Sequence, residues 1–265
     1  MPAVPETRNQ SSSIRRALAA LNFIAEYPDF PPGPGLQEIS AGLALPKSTL
    51  LRVLSPLIDE GLIKHNPQTA RYSLAPKIAY FSGLYLNRLD LRAVAQPILR
   101  GLSDRTGESV HLVVPDGLGV VYIDKAESRN PIRMFAGIGS RQEMYCTAVG
   151  KALLSNLPDT TISAVLEAGM VARTKNTITD EVQFRKELAK IKAQGFAVDD
   201  VENELGIRCV GAAIFDHTGT PIAALSVSGP DTRVTSELIP ELGQLVGESA
   251  RKISRRLGAG AVSPT

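Results

Sequence analysis

Cysteine and tryptophan are scarce in this chain, which has two cysteines, Cys146 and Cys209, and no tryptophan among 265 residues. Two cysteines exclude a disulfide framework and are typical of a reducing compartment, so we expect a cytoplasmic protein. No apolar run approaches the roughly 18 residues that a membrane span needs, and the N-terminus lacks the pattern of a signal peptide. We therefore expect no membrane partner.

Acidic and basic residues nearly balance, so the chain also lacks a strong net charge. The 29 lysines and arginines and the 27 aspartates and glutamates leave a formal net charge of +2. A nucleic-acid binder usually has a basic surface, so a DNA-binding site would need its positive charge placed locally. The length suits two domains, and a hydrophobic content of 43% is enough to form a core in each.

Three short helices are predicted near the N-terminus, after a polar tail at residues 1–10 that we expect to be disordered. The first begins at the serines of residues 11–13 and ends before Pro28, the second covers residues 36–42, and the third covers residues 45–58. The apolar stripe expected on the first helix consists of Ile14, Ala17, Leu18, Leu21, Ile24 and Ala25. A tight turn between the last two helices is typical of a helix-turn-helix motif.

The third helix has the pattern of a DNA recognition helix. Its apolar residues recur at helical spacing and predict one buried face, which consists of Leu50, Val53, Leu54 and Leu57. The polar residues Lys47, Ser48, Thr49 and Arg52 then face outward, where they can donate hydrogen bonds to phosphates and base edges. Pro56 should kink or end the helix.

A β-hairpin is predicted directly after this helix, from strands at residues 62–65 and 71–74. Together with the three helices it makes a winged helix-turn-helix at residues 11–75, for which double-stranded operator DNA is the expected partner. Arg15, Arg16 and Arg71 are the expected phosphate contacts beside the recognition helix. Small amphipathic helices with a hairpin also form protein-interaction modules, so that alternative stays open here.

A linker helix at residues 76–90 is predicted to self-associate. It carries more apolar and aromatic residues than a small headpiece can bury, namely Ile78, Tyr80, Phe81, Leu84 and Tyr85. The same segment of a second subunit is a natural partner, so we expect a homodimer or homotetramer.

Residues 91–257 predict an α+β domain with a mainly antiparallel sheet, because hairpins alternate with helices. The hairpins are expected at residues 109–124 and 208–228, and residues 131–135 can add a further strand. The helices are expected at residues 90–105, with a kink at Pro97, and at residues 147–155, 159–169, 180–194 and 235–257. Residues 258–265 are expected to form a second disordered tail.

Catalytic and metal-binding patterns are weak in this second domain. The phosphate-loop and dinucleotide-binding patterns each lack a required glycine, and the three histidines and two cysteines lack the spacing of metal ligands. We therefore expect no cofactor and no metal. A nucleophilic Cys146 or Cys209 with His111 as its base is the alternative that would make the chain an enzyme. Burial of each cysteine as a small apolar residue is the competing explanation.

Small polar groups concentrate in the second domain in a way that suits an anionic or polar organic ligand. Residues 146–151 lie at a predicted helix start, where free backbone N–H groups favour negative charge. Asp199, Cys209, Ser226 and Ser228 come from predicted strands or their ends, and the two serines share one side of a strand. Ordinary strand and packing positions explain the same residues equally well.

Several segments, taken in order, resemble the IclR family of bacterial transcription regulators. They are SSIRRAL, LPKSTLLRVL, CTAVGKALL, DDVENELGIRCVGAAIFD and LSVSGP. The resemblance covers roughly residues 12–257. It implies an N-terminal winged helix, a dimerising linker helix and a C-terminal GAF-like domain that binds a small effector, with tetramers common.

By the same resemblance, backbone groups, a carboxylate, a thiol and two hydroxyls would hold the effector. They belong to Ala148, Val149, Asp199, Cys209, Ser226 and Ser228. The family often has a glycine and an alanine where this chain has Ala148 and Val149, so the extra methyl groups would reshape the wall that faces the ligand. An apolar side of the site is expected from Met134, Phe135, Ile138 and Met144, which core packing explains equally well.

The sequence thus predicts a DNA-binding transcriptional regulator, not an enzyme, whose operator affinity is controlled by a small organic acid. Two hypotheses from other classes stay open. One is a cysteine-dependent enzyme that acts on a small molecule, and the other is a ligand-sensing module that binds a protein.

Overall fold

The computed structural model describes residues 12–28, 32–86, 90–128, 130 and 137–260, with the backbone alone at residues 82, 83, 85 and 86. The chain divides into two compact units, one ending at Arg88 and the other beginning at Leu89. The tail predicted at residues 1–10, the strand predicted at residues 131–135 and the last five residues lie outside the described residues.

The first unit is a winged helix-turn-helix followed by one more helix. Its elements are α1 (Ser12–Ala25), α2 (Leu36–Gly42), α3 (Lys47–Asp59), β1 (Ile63–Asn66), β2 (Arg71–Leu74) and α4 (Pro76–Leu86). The two strands pair in antiparallel fashion, from Ile63 opposite Leu74 to Asn66 opposite Arg71. Apolar side chains of the first three helices and both strands form its core. The predicted headpiece architecture is confirmed.

Two details of these helices differ from the prediction. On α1, Ile14 and Leu18 are 63% and 54% exposed, whereas Ala20 and Ile24 are buried, so the buried stripe is rotated toward Ala20. Pro56 does not end α3, which continues to Asp59. Pro56 has no backbone N–H to donate to the carbonyl group of Arg52. Because Arg52 is exposed, water can donate to that carbonyl group instead.

The second unit is built on one six-stranded sheet. Its strands are β3 (Ser109–Asp116), β4 (Gly119–Ala126), β5 (Arg141–Glu143), β6 (Ala197–Asp200), β7 (Ile207–Phe215) and β8 (Pro221–Pro230). The spatial order is β5-β4-β3-β8-β7-β6, and the pairings are antiparallel. The antiparallel α+β architecture and both predicted hairpins are confirmed.

The described part of this unit also contains five helices. They are α5 (Leu91–Thr106), α6 (Ala148–Leu154), α7 (Asp159–Ala168), α8 (Glu181–Gln194) and α9 (Ile239–Arg256), which follows a short 3₁₀ turn (Ser236–Leu238). The carboxylate of Asp90 caps α5 by accepting hydrogen bonds from the amides of Arg92 and Ala93, and the helix runs through Pro97.

The two faces of the sheet differ in chemistry because side chains alternate along each strand. On β8, Ala223, Leu225 and Val227 pack with α5 and α9 in one apolar cluster. Ala224 belongs instead to the cluster beneath α6, and Ser226 and Ser228 share its face of the strand. The face under α6 is therefore the one that carries buried polar groups.

Candidate functional site

The exposed face of α3 carries the polar residues expected of a recognition helix. Lys47, Ser48 and Arg52 are exposed and Thr49 is partly exposed. The four apolar residues of the predicted core face, Leu50, Val53, Leu54 and Leu57, are all buried. No ion pair between described residues engages Lys47 or Arg52, so both cations are available to a ligand of opposite charge.

The turn before α3 is fixed by three local features. A Cβ atom at Gly42 would lie 2.2 Å from Cε2 of Phe23 on α1, so glycine lets the end of α2 approach that ring. Ala44 has a φ of 52°, and the hydroxyl of Ser40 donates a 2.6 Å hydrogen bond to the carbonyl oxygen of Leu45. These contacts set the direction in which the polar end of α3 points.

The three arginines expected to contact phosphates occupy different environments. Arg15 and Arg16 are exposed on α1. Arg71 instead donates to both carboxylate oxygens of Glu38, over 3.0 and 2.8 Å, and to the carbonyl oxygen of Gly33 over 3.2 Å. Arg71 therefore ties β2 to α2, and its contact with phosphate stays a prediction.

Helix α4 presents apolar side chains that its own unit does not cover. Tyr80, Phe81 and Leu84 are 62%, 48% and 44% exposed. Lys77 and Glu60 form a 2.8 Å ion pair that holds the start of α4 against the end of α3. This surface has the composition expected of an interface between subunits.

Buried polar side chains form a row on the face of the sheet beneath α6. Asp199 lies opposite Cys209, Cys209 lies opposite Ser228, and Ser228 lies opposite Ser109, so the row crosses β6, β7, β8 and β3. Residues directly opposite each other in antiparallel strands project to the same face of the sheet. Each of the four is at most 5% exposed.

A second row lies one step along the same strands. Ser226 lies between Gly211 on β7 and His111 on β3. The hydroxyl oxygens of Ser226 and Ser228 are 3.3 Å apart, which joins the two rows. A hydroxyl pair buried in this way can donate to and accept from one bound ligand.

The start of α6 lies directly over these rows. A Cβ atom at Gly211 would lie 3.0 Å from the carbonyl carbon of Ala148 and 3.1 Å from the amide nitrogen of Val149. The hydroxyl of Thr147 caps the helix by accepting a 3.2 Å hydrogen bond from the amide of Gly150. The structure thus brings together the backbone of residues 148 and 149 and the polar side chains named for the effector site.

The turn that follows β6 holds the carboxylate of Asp199 in place. Its Oδ1 atom accepts hydrogen bonds from the amides of Glu202, over 2.7 Å, and Asn203, over 3.2 Å. Val201 has a φ of 60°, a left-handed conformation that is strained for a β-branched residue. The thiol of Cys146 donates to Oδ1 of Asn203 over 3.4 Å, so the turn is also joined to the segment before α6.

Burial controls the protonation of this site. It raises the pKa of Asp199 to about 7, although the amides of Glu202 and Asn203 act in the opposite direction. It also raises the pKa of the Cys146 thiol to about 12 and that of Cys209 well above the ordinary range. A thiol is a poor nucleophile unless it is ionised, so the hypothesis of a cysteine-dependent enzyme gains no support from the geometry.

For some side chains at or near this site, the prediction from the sequence was incomplete or differs from the structure. His111, named there only as a base for cysteine, lies opposite Ser226, and Tyr122 packs against it edge to face at 5.4 Å. Of the apolar side expected beside the ligand, Met144 is fully buried and Ile138 is 56% exposed. Met134 and Phe135 lie outside the described residues.

Two family models together match most of the chain. The model described as the IclR helix-turn-helix domain matches residues 13–67. The model described as the C-terminal domain of the bacterial transcriptional regulator IclR matches residues 83–255. The chain belongs to the IclR family. The resemblance noted in the sequence is thereby confirmed, and so is the arrangement of a helix-turn-helix domain followed by an IclR C-terminal domain.

Named relatives match over nearly the whole chain. The transcriptional repressor IclR of Escherichia coli is 30% identical over 259 residues, which is 97% of this chain and 93% of that protein. The acetate operon repressor of Salmonella typhimurium is 31% identical over 252 residues, 94% of this chain and 91% of that protein. These IclR-family relatives are repressors by name.

Solved structures of two other proteins agree with the fold. The Agrobacterium tumefaciens repressor BlcR superposes with a TM-score of 0.79 at 27% identity, covering 95% of this chain and 99% of that one. The Thermotoga maritima IclR superposes with a TM-score of 0.62 at 34% identity, covering 94% and 100%.

IclR-family membership gives the function in outline: the chain is a DNA-binding transcriptional regulator. Within the part of the chain that the structure describes, no helix is long and apolar enough to span a membrane. Across the same residues, no three His, Cys, Asp or Glu side chains come together as a candidate metal site.

Proposed function

We propose that this IclR-family regulator acts in the cytoplasm as a homo-oligomer whose operator affinity changes when a small organic acid binds in its C-terminal domain. The headpiece would comprise residues 11–75, the linker helix residues 76–90 and the effector-binding domain residues 91–257. The observation that carries the effector half of this proposal is the row of buried polar side chains beneath α6. The row is held in place, because two backbone amides bond to the Asp199 carboxylate and Ser226 bonds to Ser228. A few fixed polar groups of this kind are what orients a small polar ligand in a binding site.

On the DNA side, the polar end of α3 would enter the major groove. Lys47, Ser48, Thr49 and Arg52 are the proposed groove contacts, because they are exposed or partly exposed at the N-terminal end of a helix whose other face is buried. Arg15 and Arg16 would contact the flanking phosphates. Arg71 would contact a phosphate either while it keeps its ion pair with Glu38 or after it gives up that pair.

On the effector side, the hydroxyls of Ser226 and Ser228 would donate hydrogen bonds to the ligand carboxylate. Asp199 supports this role because its raised pKa lets it hold a proton near neutral pH and donate to an anion rather than repel it. The thiol of Cys209 and the backbone of Ala148 and Val149 would complete the wall of the site.

Coupling between the two functions would follow from linkage. An effector changes operator affinity only as far as it binds one arrangement of the oligomer better than another. The exposed side chains of Tyr80, Phe81 and Leu84 on α4 support self-association through the linker helix. Two headpieces held by such a contact could read a palindromic operator.

The experiment is a fluorescence-anisotropy titration of the full chain onto a DNA fragment from upstream of its own gene. We expect tight, strongly salt-dependent binding whose Kd shifts when one acid from a panel of two- to five-carbon organic acids is added. The variant Ser226→Ala should keep the Kd for DNA and lose the shift. A Kd that no acid changes would contradict the effector half, and weak binding without sequence preference would contradict the operator half.

A further inference from the structure

His111 is a buried histidine whose ring is left without one of its hydrogen bonds. It is 1% exposed, and its Nδ1 atom has no hydrogen-bond partner in the structure. A buried polar atom that lacks a partner costs free energy, and native proteins rarely keep one without a reason. His111 lies on β3 directly opposite Ser226, on the face of the sheet that α6 covers.

The surroundings of His111 keep its ring neutral. Tyr122 on β4 packs against it with ring centroids 5.4 Å apart. Burial, followed by the nearby charge of Lys125, lowers the pKa of His111 to about 4, and Glu127 opposes this only in part. Lys125 and Glu127 pair with each other over 2.7 Å. At neutral pH the ring therefore offers one N–H donor and one acceptor nitrogen, but no charge.

We propose that His111 is a specificity-determining residue of the effector site, which binds the hydroxyl group of a small hydroxy acid through Nδ1. This inference rests on the proposed function, because it requires that the two rows of polar side chains hold an organic acid. A hydroxyl group fits either tautomer of a neutral imidazole, since it can donate or accept. A keto group can only accept, and a methylene group can do neither.

The strand pairing also limits where that hydroxyl lies in the ligand. Directly opposed residues in an antiparallel sheet have Cβ atoms about 5 Å apart. A carboxylate bound by Ser226 and Ser228 therefore lies within a few bonds of a hydroxyl bound by His111. This spacing favours acids hydroxylated at the second or third carbon over acids with a distant hydroxyl group.

The test compares acids that differ by one hydroxyl group. Isothermal titration calorimetry of the full chain uses three matched pairs: lactate with propionate, 3-hydroxybutyrate with butyrate, and malate with succinate. For the pair that binds, we expect the hydroxy acid to bind about tenfold more tightly than its partner, as for one satisfied buried hydrogen bond. In His111→Phe, which keeps a ring without nitrogen, that preference should fall to within about twofold.

A second variant separates recognition from folding. His111→Asn restores a polar atom at the position of Nδ1 and should recover most of the preference, whereas His217→Phe, on the exposed hairpin turn, should leave it unchanged. Equal preference in wild type and His111→Phe, or no preference in wild type, would overturn the role of His111 while acid binding stands. Failure of every acid to bind the wild type would instead overturn the proposed effector function, and this inference with it.

Discussion

Lys151 on α6 and Glu202 in the turn after β6 form an ion pair whose side chains are 0% and 6% exposed. Burial raises the pKa of Glu202, and Lys151 acts against that rise. The amide of Glu202 donates to the carboxylate of Asp199, so the pair also anchors the turn that positions Asp199 in the proposed effector site. Oε2 of Glu202 has no hydrogen-bond partner in the structure, so Lys151 is the main support of this buried charge.

Removal of the cation should therefore destabilise the second unit strongly. We expect Lys151→Met to lower the free energy of unfolding by about 3 to 5 kcal/mol, because it leaves Glu202 charged and unpaired in the interior. Adding Glu202→Gln to that variant should recover a large part of the loss. Chemical denaturation provides the measurement. Lys190→Met, which removes an exposed 3.7 Å pair with Glu187, serves as the control and should change stability by less than about 1 kcal/mol. A similar small effect for Lys151→Met would contradict the account of the buried pair.

The raised pKa of Asp199 predicts how stability depends on pH. Because the pKa of Asp199 is about 7 in the folded protein, the carboxyl group holds a proton up to about pH 7, whereas the unfolded chain releases it near the ordinary value of 3.8. Between these values the folded state binds more protons, so stability contributed by this group is greatest at low pH and is lost as the pH rises. Asp199→Asn keeps an acceptor for the two backbone amides without the charge.

We therefore expect Asp199→Asn to gain stability relative to wild type as the pH rises from 4 to 7, with a difference on the order of 3 kcal/mol that levels off above pH 7. Denaturation at several pH values in this range measures it. Wild type and variant both contain Glu202 and His111, so the effect of these two groups on the pH dependence largely cancels in the difference. A difference that does not change with pH would mean that Asp199 is ionised throughout.

Gly42 should be indispensable to the headpiece because of its contact with Phe23. A Cβ atom there would lie 2.2 Å from the ring, so Gly42→Ala should displace α2 from α1 and cost about 1 to 3 kcal/mol. Operator affinity should fall with it, since the turn that aims α3 begins at this glycine. Thermal unfolding and anisotropy would measure the two effects.

Two companion variants make the Gly42 result specific. Phe23→Ala in the Gly42→Ala background should restore part of the DNA affinity by making room for the methyl group. Gly101→Ala on α5 meets no atom within 4 Å, so it should be neutral or stabilising by up to about 1 kcal/mol. An unaffected headpiece in Gly42→Ala would show that α2 tolerates a different approach to α1.

Arg52 and Arg16 should affect DNA binding in different ways. Arg52→Ala should cost about 1 to 3 kcal/mol on the operator and reduce discrimination against altered sites if its guanidinium reads a base. Arg16→Ala should weaken binding to operator and non-operator DNA alike and lower the salt dependence by about one counterion. Anisotropy with matched operator and scrambled duplexes separates the two. A uniform loss for Arg52→Ala would reassign it to a phosphate.

The sequence was sufficient wherever a local pattern determines the structure. Helix α3 was predicted because its four buried residues recur at helical spacing, and the long hairpins were predicted from the glycine-containing turns that join their strands. The bounds of strand β6 were not predicted, because it has four residues and ends in two aspartates, which are rare in strands, so its pairing with β7 defines it. Strand β5 was missed because it has only three residues.

The polar rows depended on information that no short segment contains. Asp199, Cys209, Ser226 and Ser228 were named from the sequence and the family resemblance, but Ser109 was not, and the place of His111 opposite Ser226 follows from the pairing of β3 with β8. The buried Lys151 was likewise unexpected, since lysine is rarely fully buried unless it is paired, and its partner lies 51 residues away in the chain. The pairing of strands that are far apart in the chain, rather than composition, brings the side chains of this site together.

We propose that ligand binding at the site beneath α6 controls the affinity of α3 for DNA. The direct measurement is the operator Kd of the full chain as a function of organic-acid concentration, in wild type and in Ser228→Ala. We predict equal Kd values without acid and a shift in the variant that requires at least about tenfold more acid, because one hydrogen bond to the ligand is lost. Identical acid dependence in the two proteins would contradict the claim.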